Sequence, residues 1–239
     1  KNVDVRVSTL PSSYGERIVL RILDKQSAQI NIDDLGLPSK ILSNYKTSLK
    51  NPEGIILFTG PTGSGKTTTL YAGLRFLSDS SQNILTVEDP IEYTLNGIGQ
   101  TQVNPKTGYT FAKGLRAILR QDPDIVMVGE MRDVETAQIG IQASLTGHLV
   151  LSTVHTNSAV AAITRLRDMG IESFLLASSI RTIISQRLVR RLCESCKVES
   201  KPSKESKEIF KLDDNAKVYT ASGCEKCNNT GYQGRIAIA

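Results

Sequence analysis

Residues 60–69, GPTGSGKTTT, match the spacing GxxxxGK[ST] of a phosphate-binding loop. Glycines let such a loop turn its backbone N–H groups toward one point, and a helix that follows adds the positive end of its dipole. Lys66 can then reach the β- and γ-phosphates, and the Thr67 hydroxyl can hold Mg²⁺. The candidate nucleotide contacts are Gly60, Pro61, Thr62, Gly63, Ser64, Gly65, Lys66, Thr67 and Thr68. The sequence has no NKxD-type guanine-reading motif, so the expected nucleotide is ATP.

Hydrolysis also requires acidic groups that place the metal and orient the attacking water. Two predicted strands end in acids. One carries Glu88, Asp89 and Glu92 in TVEDPIEY, and the other carries Glu130 and Asp133 in IVMVGEMRD. Each acid could instead cap a helix or be a solvated loop charge.

The strand before Glu130 lacks the Asp that usually ends a Walker B strand, because Gly129 stands at that position. We therefore expect Mg²⁺ to be held through Glu130 and water. Glu88 is the best general base beside Glu130, and the sequence leaves open which of the two activates the water.

Both histidines of the chain lie in TGHLVLSTVHTNSA. His155 ends the predicted strand, where a γ-phosphate sensor would lie, whereas His148 begins it. A lone histidine is often a structural hydrogen-bond partner, and that reading stays open for both.

Four arginines could stabilise the developing charge on the γ-phosphate, either within one subunit or from a neighbour. Arg6 and Arg21 lie on a predicted N-terminal hairpin that a hinge could swing onto the phosphates. Arg116 and Arg120 lie one helical turn apart in LRAILRQ and would share a helix face. The alternative for the second pair is a solvated helix face.

Cys193 and Cys196 in CESC, and Cys224 and Cys227 in CEKC, form two CxxC pairs with 27 residues between them. This pattern predicts a Zn²⁺ site with four thiolate ligands, which leaves no open catalytic position and is therefore structural. The alternative is a pair of disulfides, which a reducing cytosol disfavours.

Short apolar runs alternate with longer helix-like segments, which predicts an α/β fold with a parallel sheet covered on both faces. The predicted strands are IILFT, NILTVED, GIGQTQVN, DIVMVGE and HLVLSTV. The predicted helices are 39–49, KTTTLYAGLRFL, TFAKGLRAILRQ, VETAQIGIQASLTG, AVAAITRLRDMG with Asn157 or Ser158 as its cap, and 173–192. With 239 residues and 39% hydrophobic residues, the chain can bury a core. It has no apolar run near the ~20 residues of a membrane helix, and no secretory signal is expected.

The motifs together resemble the secretion ATPase superfamily, the assembly motors of type II secretion and type IV pili. The resemblance is carried by GPTGSGKTTTLY, VEDPIEY, LRQDPDIVMVGEMRD, TGHLVLSTVHTN and the tetracysteine segment. The details GIGQTQVNP and QASLTGH are most similar to type II secretion ATPases; pilus retraction ATPases generally lack the tetracysteine segment.

The resemblance implies a RecA-like P-loop core at residues 39–192 and a tetracysteine zinc module with the start of a truncated C-terminal region at 193–239. It also implies that residues 1–24 end an upstream β-rich domain, joined by a linker at 25–38. By position, Lys66, Thr67, Glu88, Glu130 and His155 match the family's nucleotide residues, and the four arginines named above match the family's arginines.

The resemblance further implies a cytoplasmic, peripheral inner-membrane ATPase in a homohexameric ring. Upstream domains, expected to be missing from this chain, would bind the membrane platform and cytoplasmic-domain proteins of the secretion system. A pilus-assembly or DNA-uptake motor is the near alternative. A nucleic-acid translocase using the RecA-like core and the basic charge is another, although stacking aromatics are scarce and no nucleic acid is expected. The alternative for the arginine-rich helix 181–191 is a solvated or subunit-facing surface. The last alternative function is a protein-docking zinc module with a vestigial nucleotide site.

Overall fold

The computed structural model describes residues 4–23, 30–78, 81–213 and 215–239. They divide into two compact units, which separate between residues 187 and 188. The predicted linker 25–38 falls in part on residues 25–29, which lie outside the described residues, and its later part contains a 3₁₀ helix at Ile32–Leu35. None of the described helices is long and apolar enough to cross a membrane.

The predicted N-terminal hairpin is confirmed for the residues described. Strand β1 (Asp4–Ser12) pairs antiparallel with β2 (Gly15–Leu23). In this register Arg6 lies directly opposite Arg21. Residues directly opposite each other in an antiparallel pair project to the same side, so the two arginines share one face of the hairpin.

The centre of the first unit is a parallel sheet of six strands, which confirms the predicted fold class. Its strands are β3 (Gly54–Thr59), β4 (Ile84–Glu88), β5 (Gly99–Gln102), β6 (Ile125–Val128), β7 (Leu149–Val154) and β8 (Ile180–Ser185). Their spatial order is β5–β4–β6–β7–β3–β8. The central strands β3, β6 and β7 are buried along their whole length. Burial on both faces explains why these strands are continuous apolar runs in the sequence.

Helices cover both faces of the sheet. They are α1 (Ser39–Leu49), α2 (Lys66–Leu77), α3 (Phe111–Ile118), α4 (Val134–Leu145), α5 (Ala159–Asp168) and α6 (Ser173–Ser179). On one face, Ile55 and Leu57 of β3 pack with residues of α4, α5 and α6. On the other face, Tyr45 of α1 stacks edge-on against Phe58, with ring centroids 5.3 Å apart. Ser158 caps α5 by accepting a hydrogen bond from the Ala161 N–H.

The predicted helix over 173–192 is wrong beyond Ser179. Helix α6 ends there, and the chain continues as β8, which pairs parallel with β3, and then as β9 (Arg187–Leu192). Residues 180–184, IRTII, are rich in β-branched side chains, which favour strands. Pairing with β8 also satisfies backbone groups on β3 that would otherwise be unpaired and buried. The arginine-rich helix 181–191 therefore does not exist.

The second unit is small and contains short elements. After β9 come β10 (Val198–Ser200), α7 (Lys204–Phe210), β11 (Val218–Thr220) and β12 (Tyr232–Ile238). Strands β10 and β11 pair antiparallel, and β9 pairs with β12. A 3₁₀ helix spans Glu225–Cys227.

Candidate nucleotide site and cysteine cluster

The phosphate-loop motif connects β3 to α2. Three of its glycines, Gly60, Gly63 and Gly65, have positive φ angles, which favour glycine. Gly60 has a second constraint, because a Cβ there would lie 2.3 Å from the Gln186 carbonyl oxygen. Helix α2 begins at Lys66 with Gly65 as its N-cap, and no side chain caps it. The first-turn N–H groups of α2 are therefore available to an anion.

The Lys66 ammonium folds back onto this loop. Its Nζ donates to the carbonyl oxygens of Gly60, at 2.8 Å, and Pro61, at 3.1 Å. Burial lowers the pKa of Lys66, and the nearby negative charge of Glu130 opposes that shift. The Ser64 hydroxyl is buried within the loop and has no hydrogen-bond partner in the described part of the chain. A buried, unpartnered hydroxyl beside an ammonium group fits a loop that receives phosphate oxygens.

Gln186 fixes the shape of the loop. Its side-chain Nε2 donates to the Ser64 carbonyl oxygen at 2.8 Å, and its Oε1 accepts from the Thr69 hydroxyl at 2.8 Å. Its backbone N–H donates to the carbonyl of Thr59 at the end of β3. Gln186 is not among the residues predicted from the sequence, because its segment was predicted to be helical. Only the pairing of β8 with β3 brings Gln186 to the loop.

Three of the predicted site residues lie at the carboxyl ends of adjacent strands of the sheet. Glu88 is the last residue of β4, Glu130 comes two residues after β6, and His155 comes directly after β7. These strands are parallel neighbours and β3 with its loop lies beside β7. The carboxyl ends of parallel strands form the usual ligand-binding edge of an open α/β sheet.

Neutral hydrogen-bond donors surround Glu88, whose carboxylate is buried. Its Oε2 accepts a hydrogen bond from the Tyr71 hydroxyl of α2. Its Oε1 accepts from the Thr86 hydroxyl at 2.7 Å and from Gln100 Nε2 at 3.0 Å. Burial raises the pKa of Tyr71, and the negative charge of Glu88 raises it further. Tyr71 is therefore a protonated donor that holds one Glu88 oxygen in place.

An arginine and a histidine approach Glu130, which is also buried. Arg132 Nε makes an ion pair with Glu130 Oε2, and His155 Nε2 lies 3.3 Å from the same oxygen. The hydrogen bond to Glu130 raises the pKa of Arg132. Arg132 was missed by the sequence analysis, although its position two residues after a candidate metal-binding acid was a usable signal.

The remaining acids have other partners. Asp133 caps α4, since its Oδ1 accepts from the Thr136 N–H at 2.8 Å. Asp89 Oδ2 lies 3.9 Å from Arg132 Nη1. Glu92 Oε2 pairs with Arg6 Nη2 at 3.1 Å, which joins the hairpin to the segment after β4.

The other predicted arginines and His148 lie apart from the loop. Arg116 pairs with Glu135 at 2.5 Å, and Arg120 donates to the Arg116 carbonyl oxygen at 2.8 Å. Arg21 is exposed on the hairpin. No hydrogen bond or ion pair joins these three arginines to residues 60–68 within the described ranges. His148 begins its segment at the opposite end of β7, where its Nδ1 contacts the Ala143 carbonyl oxygen.

The four cysteines of the second unit form one cluster, with Sγ atoms all within 4.8 Å of one another. The pairs Cys193–Cys224, Cys196–Cys227 and Cys224–Cys227 are 3.9, 3.8 and 3.7 Å apart. A tetrahedral Zn–S₄ site with bonds near 2.3 Å has S–S separations of about 3.8 Å. The described cysteines form no disulfide.

Backbone N–H groups point at two of these sulfur atoms. Cys227 Sγ accepts from the N–H groups of Cys224 and Gly231, each at 3.2 Å, and Cys196 Sγ accepts from Gly223 at 3.3 Å. Burial acts to raise the pKa of Cys227, but these N–H groups and the neighbouring thiols lower it to about 6. These donors favour a thiolate at Cys227, the form that binds a soft divalent metal, whereas burial raises the pKa of Cys196 to about 11 despite the Gly223 N–H.

Comparisons with known proteins agree on one group. The family model described as "Type II/IV secretion system protein" matches residues 1–239. The chain is 60% identical over 238 residues to the type II secretion system ATPase E of Vibrio cholerae, covering 99% of this chain and 47% of that protein. It is 59% identical over 240 residues to type II secretion system protein E of Pseudomonas aeruginosa, covering 100% of this chain and 48% of that protein. The chain therefore spans about half the length of these relatives.

Two solved structures share the fold. The pilus retraction motor PilT with bound ADP has a TM-score of 0.70 and 37% identity, covering 80% of this chain and 57% of that chain. The Legionella pneumophila ATPase DotB has a TM-score of 0.65 and 29% identity, covering 89% of this chain and 62% of that chain.

Proposed function

Because the chain belongs to the type II/IV secretion system protein family, we propose that it is the ATP-hydrolysing motor part of a type II secretion ATPase. The observation that carries this proposal is the arrangement at one sheet edge: the phosphate loop, two buried carboxylates and His155 follow neighbouring parallel strands. The loop would hold the phosphates with the first-turn N–H groups of α2. Lys66 would exchange the Gly60 and Pro61 carbonyls for β- and γ-phosphate oxygens.

The site residues also suit a magnesium ion. Carboxylate and hydroxyl oxygens are the ligands that Mg²⁺ prefers, and Glu130 and the exposed Thr67 offer them beside the loop. When bound, Mg²⁺ would neutralise charge on the phosphates. His155, which contacts Glu130 at the end of β7, would sense the γ-phosphate.

We assign different roles to the two carboxylates from their surroundings. Glu130 lies among the side chains of Arg132, His155 and Lys66, of which the guanidinium and the ammonium carry positive charge next to its carboxyl group. Glu88 accepts three hydrogen bonds from neutral groups, and a carboxylate can accept about four. We infer that Glu130 serves the metal and that Glu88 orients and deprotonates the attacking water.

The proposal extends to the assembly. A homohexameric ring would let arginines from a neighbouring subunit, or from a moving hairpin, complete the site; Arg6, Arg21, Arg116 and Arg120 are the candidates. The motor would act in the cytoplasm at the inner membrane, where it would push a membrane platform and drive pseudopilus assembly. The identity to type II secretion system ATPases supports this assignment.

We propose that the tetracysteine cluster holds a structural Zn²⁺. The Sγ separations fit a tetrahedral thiolate shell, and four protein ligands leave no position for a substrate. The ion would join the two CxxC turns, Cys193–Cys196 and Cys224–Cys227, across the intervening polar segment.

A pilus motor is the second candidate, because the fold is shared with PilT at a TM-score of 0.70. A nucleic-acid translocase has less support, since each of the four arginines of 181–191 has a separate local partner. Arg181 contacts Glu53, Arg187 the Asn157 carbonyl oxygen, Arg190 the Tyr232 ring and Arg191 Glu194.

Lys66→Ala tests the nucleotide site. We expect ATP turnover, measured as phosphate release with Mg²⁺, to fall at least about a hundredfold, because a preorganised charge beside the γ-phosphate is lost. Lys46→Ala is the matched control, since Lys46 is a lysine paired with Asp33 at 2.6 Å. Equal turnover in both variants would contradict the proposed site.

A further inference from the structure

Arg132 joins two acids that follow different strands. Its Nε contacts Glu130 Oε2, and its Nη1 lies 3.9 Å from Asp89 Oδ2. The Arg132 side chain is 60% exposed, whereas that of Glu130 is only 11% exposed. The guanidinium group thus covers a nearly buried carboxylate from the solvent side.

This contact differs from an ordinary surface ion pair because other side chains also lie close to the Glu130 carboxyl group. Glu130 Oε2 is approached at once by the Arg132 guanidinium and by the Nε2 atom of His155, and the charge of Glu130 also acts on Lys66. The positively charged guanidinium therefore lies at the carboxylate oxygen that a divalent ion would approach. The hydrogen bond to Glu130 is the main reason that the pKa of Arg132 is raised, so the guanidinium is firmly charged.

We propose that Arg132 is a positioning residue that occupies the metal-facing oxygen of Glu130 in the nucleotide-free site and is released from it when a divalent cation arrives with the nucleotide. The inference rests on the proposed function, since it requires Glu130 to serve the metal. Arg132 would hold the Glu130 carboxyl group in place while the site is empty. Asp89 would hold the guanidinium after its release.

The exposure of the two partners makes this exchange possible. Glu130 is fixed by burial, but Arg132 has a long side chain and an open path to Asp89, whose side chain is 37% exposed. A divalent ion at Glu130 would repel the guanidinium at short range. The Arg132–Glu130 contact therefore competes with the metal, and removing it should strengthen metal binding.

The first arm of the test observes the contact itself by ¹⁵N NMR of arginine side chains. In the free chain we expect the Arg132 Nε–H to be protected from exchange, and Glu130→Gln to abolish that protection. Mg²⁺ with ADP should also abolish it, while the amides of Gly63 and Gly65 shift and report nucleotide binding. Amide shifts with Arg132 still protected would overturn this inference alone. Absent amide shifts at saturating ADP would contradict the proposed nucleotide site as well.

The second arm measures metal affinity without relying on turnover. The free Mn²⁺ concentration that half-saturates the ADP-loaded chain, read by electron paramagnetic resonance, should fall about fivefold in Arg132→Gln, the effect of removing a competing ion pair worth ~1 kcal/mol. Arg132→Lys keeps the charge but loses the planar two-acid contact, so it should show part of that gain. Arg181→Gln, which removes an exposed pair with Glu53, is the matched control and should show none.

Two results of the metal-affinity measurement would also overturn the inference. If Arg132→Gln weakens ADP binding in the absence of metal and leaves the Mn²⁺ half-saturation unchanged, Arg132 is a phosphate ligand. Arg132→Lys could have the same Mn²⁺ half-saturation concentration as the wild type while Arg132→Gln lowers it. In that case the positive charge of residue 132 acts on metal binding at a distance, and the contact with Glu130 has no part in it.

Discussion

The nucleotide edge of the first unit and the cysteine cluster of the second unit gather their residues in different ways. At the nucleotide edge, Glu88, Glu130 and His155 are distant in sequence and meet because β4, β6 and β7 are parallel neighbours. In the second unit, two short CxxC turns supply all four thiols, and the elements around them are strands of three to seven residues and one helix of seven.

The difference shows where the stability of each site originates. A buried parallel sheet and its hydrophobic clusters hold the nucleotide edge, and its polar side chains are fixed by hydrogen bonds such as those of Gln186 and Tyr71. The second unit has little apolar core: its buried residues among those described are Cys193, Pro202, Cys227, Gly231 and Ala237. The first site should therefore survive loss of a single contact, whereas the second should depend on its metal.

Metal removal should have the largest structural effect. We expect one Zn²⁺ per chain, and we expect its extraction by a strong chelator to unfold the segment between Cys193 and Gly231. Structural zinc sites contribute about 10 kcal/mol or more of binding energy in small domains. Because the segment has little apolar core, we expect it to lose its fold when that contribution is removed. Hydrogen exchange of the segment measures the effect.

Restoring the metal provides the control for chelation. Added Zn²⁺ should return slow exchange to the wild-type chain but not to Cys196→Ser, which lacks one ligand. A chain purified without metal whose cysteines are oxidised in pairs would contradict the zinc assignment.

Removal of one hydroxyl at the nucleotide edge should have a smaller and different effect. Tyr71→Phe removes the donor to Glu88 Oε2 and leaves the donors Thr86 and Gln100 in place. A hydrogen bond to a charged group is worth about 1.5 kcal/mol, so kcat for ATP should fall about tenfold while KM changes little. Steady-state kinetics separate the two constants.

Tyr45→Phe is the matched control for this variant. Tyr45 is also buried and also bonds to α2, where its hydroxyl donates to the Thr69 carbonyl oxygen at 3.1 Å. It should lose similar stability and keep the wild-type kcat. A loss of kcat in both variants would mean that Tyr71 acts only through the stability of α2.

Local sequence patterns predicted much of this molecule. The glycine spacing of residues 60–67 and the two CxxC pairs are short-range signals, so they are visible without knowledge of the fold. The parallel sheet followed from apolar runs that alternate with helical segments, because strands buried on both faces must be apolar throughout.

The features that were missed depend on pairing between distant segments. Strand β8 was predicted as part of a helix over 173–192, although the β-branched residues of IRTII favour a strand. The parallel pairing of β8 with β3 is the long-range contact that local patterns do not reveal. Gln186 then reaches Ser64 and Thr69 only through that pairing. The contact of Arg132 with Glu130 is short-range, but its link to Asp89 depends on β4 and β6 lying side by side. The roles of Arg21, Arg116 and Arg120 stay predictions.

The central claim is that nucleotide binds at the β3–α2 loop and the adjoining strand ends. Hydrogen exchange of the zinc-loaded chain, with and without Mg²⁺ and a non-hydrolysable ATP analogue, tests it most directly. We expect slower exchange at residues 60–68 and 129–132 and unchanged exchange between Cys224 and Gly231. Unchanged exchange at residues 60–68 under a saturating concentration of the analogue would contradict the account.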